Sequence, residues 1–140
     1  MPIRRLTCDD YAAYYPLIRE FRETEFTEEQ FWNDMRGMPW TQEIWVWEED
    51  REMLGTITVI YEPKFIFNRC MFAHIEDVCV RESARKKGIG SQLLQHVIQE
   101  AKTKGCLKIT LVCNESVAPF YFANQFEKRG IQCSRLLRSG

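Results

Sequence analysis

The stretch from Cys70 to Cys113 constrains the fold more than any other part of the chain. Cys70–Val80 (CMFAHIEDVCV) is a β-branched and aromatic run of the kind that forms a strand. Ile89–Lys104 (IGSQLLQHVIQEAKTK) places Ile89, Leu93, Leu94, Val97, Ile98 and Ala101 on one face at helical spacing, and Gly105 stops it. Lys108–Cys113 (KITLVC) is again a strand. A strand, an amphipathic helix and a second strand close as a parallel pair with the helix packed on one face of the sheet.

The remaining elements extend that sheet. Asp9-Asp10 precede a helix, YAAYYPLIREFRE, expected to be disturbed at Pro16 or to begin there. Thr27 followed by Gln30 is a capping box that opens a second short helix, ended by Gly37-Met38-Pro39. Glu43–Glu48 and Met53–Tyr61 read as a hairpin across a polar turn, Ser116–Asn124 as a short helix, and Ile131–Leu137 as a last strand. The expectation is a mixed α/β (α+β) sheet in a single domain spanning all 140 residues.

Composition excludes several classes. No apolar run reaches the roughly 18 residues of a membrane span, and the N-terminus lacks an apolar signal core. Arg138-Ser139-Gly140 is not a peroxisomal address, so a cytoplasmic location is expected. Six cysteines without a C-x-x-C pair read as reduced thiols. Cys70 and His74 have no second ligand pair at zinc spacing, so no metal is expected. The net charge of −1 hides a polarity: residues 9–52 carry 13 acidic and 4 basic side chains, residues 53–140 carry 7 and 13. The second half is the half suited to anions.

Its focus is Arg85-Lys86-Lys87-Gly88-Ile89-Gly90, between the strand and the amphipathic helix. The first N–H groups of a helix lack internal partners and carry partial positive charge, so they suit a phosphate. The two glycines let a ligand approach the backbone. The loop is neither a P-loop nor a dinucleotide-binding fingerprint, since Leu93 stands where a third glycine would be. Alone, it fits a solvated basic turn as well as an anion site. A nucleic-acid module would want interleaved aromatics and a basic pI, whereas the pI is about 6.2 and the basic trio is isolated.

In order along the chain, EPKFIFNRC, HIEDVCV, the R-K-K-G-I-G loop, GCLKITLVC and FYFANQF resemble the GNAT acyltransferases, and within them the small dimeric branch that acetylates amino-sugar phosphates. The resemblance runs from about residue 3 to 138 and is strongest over 62–126. It implies the GNAT fold and transfer of acetyl from acetyl-CoA to the amine of glucosamine 6-phosphate, for nucleotide-sugar synthesis, by direct transfer in a ternary complex. The alternatives are a GNAT acting on another amine and a non-catalytic CoA-binding module.

The resemblance also assigns roles. The backbone of Val78, Cys79 and Val80 lies along the pantetheine arm, and Arg85, Lys86, Lys87, Gly88, Ile89, Gly90 and Ser91 take the pyrophosphate. Tyr121 assists the departing thiolate, with an aromatic core residue as the bland alternative. Glu76 and Asp77 face the sugar, and Lys64 lies near it. Arg135 meets the sugar phosphate from the other subunit of a homodimer. Val112 stands where the family often has an acidic residue. In a regular strand Glu76 and Asp77 would point to opposite faces, unless a β-bulge re-aims them, and buried carboxylates there would be expensive. His74 and His96 carry no role, His96 being expected at the polar edge of its helix.

Overall fold

A computed structural model describes residues 1–139. Five strands form one sheet in sequence order: β1 (Ile3–Arg5), β2 (Gln42–Glu49), β3 (Glu52–Pro63), β4 (Met71–Val80) and β5 (Lys108–Leu111). The first three junctions are antiparallel, and β4 runs parallel to β5. The helices are α1 (Tyr11–Phe21), α2 (Glu28–Arg36), the four-residue α3 (Ile66–Arg69), α4 (Ile89–Thr103) and α5 (Ala118–Ala123).

β3 is buried from Met53 through Val59 because helices cover both of its faces. Met53 turns toward α1 and α2, joining Leu17, Phe31, Val46 and Cys79. Leu54, Ile57 and Val59 turn the other way, under α4. Leu93, Leu94 and Val97 of α4 are fully buried, each worth about 1.5–3 kcal/mol relative to exposure. That face, more than helix propensity, holds α4 against the sheet. Gly55 sets how closely it docks. A Cβ there would come within 3.1 Å of both Ile89 and Leu93, so the first turn of α4 can lie on β3 only because position 55 has no side chain.

Local signals account for the boundaries. In the capping box, Thr27 Oγ1 accepts from the Gln30 N–H at 3.1 Å and Gln30 Oε1 from the Thr27 N–H at 2.8 Å. The β2–β3 hairpin turns through Asp50 and Arg51 at φ 50° and 66°, the left-handed pair that matches strand twist.

Four expectations need correction. α1 neither starts nor breaks at Pro16, which sits inside it. The missing donor costs about 3 kcal/mol, and burial of Tyr14 and Leu17 on either side outweighs it. Ile131–Leu137 is not a strand. Residues 127–139 are all exposed, and a strand needs a ladder partner that this chain does not offer them. The strand expected to reach Cys113 ends at Leu111. His96 is not at a polar edge, since its ring packs on Trp45 at 4.3 Å. The sequence reading also passed over β1, whose three residues are too few to show alternation.

Candidate active site

β5 is short, and that creates the site. It pairs with β4 only over Phe72–Ile75, so beyond Ile75 the β5-facing edge of β4 has no strand beside it. The strands part around a cleft of about 1060 Å³, walled by the end of α1, the second half of β4, the start of α4, the segment after β5 and α5.

β4 is irregular where the cleft opens. Thr56 pairs with Cys79 but Thr58 with Glu76, so Ile57 faces two residues and a bulge falls at Asp77 and Val78. Asp77 adopts φ 49°, a left-handed conformation that Asp tolerates better than most side chains. The bulge breaks the alternation, and Glu76 and Asp77 both line the cleft. Both are exposed, so the cost of burying an interior carboxylate does not arise.

Two residues on, alternation resumes. Cys79 turns its side chain away from the cleft, with Sγ 3.8 Å from the Leu17 carbonyl. Burial, reinforced by Glu20, pushes this thiol up to about 11 against the pull of Arg85, Arg81 and Arg22. It stays protonated at neutral pH, leaving its backbone as the part that faces the cleft.

Arg81 closes β4, and a single 3₁₀ turn (Glu82–Ala84) leads into the glycine loop. Gly88 caps α4 at φ 79°, where a side chain would be strained. Gly90 is different, because a Cβ there would sit 3.7 Å from both Phe120 and Val80, in ordinary contact. Its missing side chain leaves space between α4 and α5. Arg85, Lys86, Gly88, Ile89, Gly90 and Ser91 all line the cleft, and Lys87 does not.

On the far wall, Tyr121 is 9% exposed and packs edge-on against Phe120 and Phe126, at 5.0 and 5.9 Å. It reaches the cleft while Phe122 faces outward. Burial and the nearby Cys113 raise its phenol above the usual tyrosine value. A phenol that holds its proton through neutral pH can donate it. Val112 also lines the cleft and is exposed.

The structure therefore brings together the acidic pair, the free edge of β4, the loop and Tyr121. It leaves two expected residues elsewhere. Lys64 lies opposite Cys70, six positions before Glu76 and so ~20 Å along the strand. Its Nζ is 3.2 Å from Glu62 and stacks over Phe72. Arg135 lies in the exposed tail. Conversely, Glu20, Phe21 and Arg22 line the cleft from α1. No motif marks them, and only the packing of α1 beside the end of β4 places them there. Tyr14, also on α1, has its phenol pushed up to about 12 by burial and by Asp77.

A sheet split at its parallel pair, with a glycine loop opening a helix into the gap, defines an acyltransferase of the GNAT class. The chain belongs to the acetyltransferase (GNAT) family, whose pattern it matches over residues 4–124. Its relatives include glucosamine 6-phosphate N-acetyltransferase 1 of Dictyostelium discoideum, 30% identical over 94% of this chain and 87% of that protein. The glucosamine 6-phosphate N-acetyltransferase of Arabidopsis thaliana is 30% identical over 95% and 94%. The crystal structure of glucosamine-6-phosphate N-acetyltransferase from Arabidopsis thaliana superposes with a TM-score of 0.90 at 28% identity, covering 97% of both chains.

Proposed function

We propose that this protein is an acetyl-CoA:D-glucosamine 6-phosphate N-acetyltransferase acting as one domain and working by direct transfer in a ternary complex. The observation that carries the reading is the bulge at Asp77. It aims two adjacent carboxylates into the same cleft as the glycine loop and Tyr121, which a plain coenzyme-binding strand would not need.

The residues fit the coenzyme. The loop supplies backbone N–H groups and cations for a pyrophosphate. The gap at Gly90 admits a slender chain between α4 and α5. The unpaired edge of β4 offers N–H and C=O groups to the amides of pantetheine, and one N–H there polarises the thioester carbonyl. Glu76 and Asp77 hold the sugar with its amine toward the thioester, and water beside them takes the amine proton. Tyr121 gives a proton to the departing thiolate. Gly90→Ala tests the coenzyme part cleanly, since its Cβ fits and alanine favours a helix. We expect an unchanged or higher Tm and a Kd for CoA raised roughly tenfold by calorimetry. An unchanged Kd removes the loop from the coenzyme site.

The acceptor site is completed by a second copy of the chain. Phe65, Ile66 and Phe67 are 92%, 57% and 65% exposed, and the tail exposes Ile131, Leu136 and Leu137. These apolar segments carry Lys64 and Arg135 at their margins, which supports a homodimer that delivers them to the partner's cleft. Arg135→Ala is expected to raise KM for glucosamine 6-phosphate about tenfold or more, with KM for acetyl-CoA held. Equal effects on glucosamine with and without its phosphate would return Arg135 to the surface. The six free thiols suit a reducing, cytoplasmic setting.

The overall test is release of CoA thiol across a panel of amines, each with and without a 6-phosphate. The reading requires glucosamine 6-phosphate to lead, and a lysine peptide or an unphosphorylated sugar in first place would overturn it.

A further inference from the structure

Three guanidiniums gather where the end of α1 meets the end of β4: Arg22 and Arg85 line the cleft, and Arg81 reaches back to Glu20 of α1. They are not equivalent. Arg81 is committed to the protein. Its Nε donates to the Met53 carbonyl at 2.9 Å, and its Nη1 donates to Glu20 Oε2 at 3.2 Å. Its backbone N–H donates to the Leu54 carbonyl at 2.9 Å.

Arg22 and Arg85 are held more lightly, Arg22 stacking over the Phe21 ring at 4.3 Å. Their side chains donate only to neighbouring carbonyls, Arg22 to Phe21 at 2.9 Å and Arg85 to Val80 at 3.3 Å. Among the described residues neither forms an ion pair, and both line the cleft.

Glu20 fixes the wall on which Arg22 stands. Its Oε1 accepts from the Glu82 N–H at 2.6 Å, tying the last turn of α1 to the segment that feeds the glycine loop. With both oxygens engaged by Glu82 and Arg81, Glu20 is not available to neutralise Arg22. Arg22 from the end of α1 thus faces the same cavity as Arg85 and Lys86 from the loop, three cations without an ion pair among the described residues, an arrangement that favours an anion.

We propose that Arg22 is a coenzyme-binding residue, donating to the diphosphate of acetyl-CoA from α1 while Arg85 and the loop hold it from α4. Glu20 is a positioning residue that fixes the end of α1 for this contact. The proposal rests on the reading that the cleft binds acetyl-CoA. The diphosphate is the anion at issue, rather than the phosphate of the acceptor, because charge in the cleft is segregated. Arg22 stands at the loop end of β4, because Glu20 two residues before it is bonded to Arg81 and Glu82. The other end presents Glu76 and Asp77, which repel a phosphate and attract an amine.

Calorimetry with CoA, with dephospho-CoA (which lacks only the 3′-phosphate) and with pantetheine (which lacks the diphosphate and the nucleoside beyond it) separates the outcomes, and 4′-phosphopantetheine, which keeps one phosphate without the nucleoside, should still sense Arg22. Arg22 is exposed, so Arg22→Gln keeps the fold. We expect its Kd for CoA and for dephospho-CoA to rise about tenfold, with that for pantetheine unchanged. Arg22→Lys should fall between, since it keeps the charge but not the planar fork. Equal losses with all four ligands would make Arg22 structural and overturn the proposal. So would unchanged CoA affinity together with a raised KM for glucosamine 6-phosphate, which would give Arg22 to the acceptor. A wild-type protein that binds no CoA would overturn the coenzyme reading itself, a result distinct from equal binding by wild type and variant.

Discussion

Tyr121→Phe is expected to lower kcat by about 10²–10⁴-fold, with KM for both substrates nearly unchanged. The change removes one oxygen from a residue held by Phe120 and Phe126, so the aromatic packing survives and Tm stays close to wild type. The pH profile adds an independent reading. Burial raises the Tyr121 phenol above its ordinary value, and a proton donor is lost as pH rises through its pKa. Loss of activity assignable to Tyr121 therefore falls above the ordinary tyrosine range, not near neutral pH. If Tyr121→Phe turns over like wild type, the residue only packs.

The second large effect concerns the bulge, where carboxylate and backbone shape can be tested apart. Asp77→Gly keeps a left-handed residue and removes the carboxylate. The fold should gain up to about 1 kcal/mol, while kcat/KM for glucosamine 6-phosphate drops about 10–100-fold. Asp77→Val disfavours φ 49° itself. A straightened β4 returns neighbouring side chains to opposite faces and takes Glu76 out of concert with position 77. Its activity should fall below that of Asp77→Gly, and its Tm should fall as well. Equal activity in the two variants would show that the carboxylate matters and the bulge does not.

These two residues also show what the sequence discloses. Tyr121 is marked by the resemblance alone, since an aromatic triplet reads equally well as core, whereas the loop is legible because a helix start follows a local rule. The pairing of β4 with β5 is legible for the same reason, since the helical period over Ile89–Ala101 dictates the crossover. The bulge is half legible. Adjacent acids within an apolar strand raise the question, but only the register of Thr56 and Thr58 answers it. Glu20 and Arg22 are not legible. They reach the cleft through Leu17 and the Glu82 hydrogen bond, contacts about sixty positions away that no local pattern encodes. Pro16 misled because a local penalty was read without the burial that overrides it. Ile131–Leu137 misled in the opposite sense, having strand chemistry without a strand to join.

The shortness of β5 has a wider consequence. An unpaired strand edge is what proteins usually cover or charge, because any passing backbone can add to it. Here the edge lies along the wall of a cleft of about 1060 Å³. On the proposed reading, covalent neighbour and diffusible guest would occupy successive stretches of a single strand, Lys108–Leu111 beside Phe72–Ile75 and the amides of the coenzyme beyond. A guest bound there would stand in for missing secondary structure, so the supply of donor would become a term in the protein's stability as well as in its turnover.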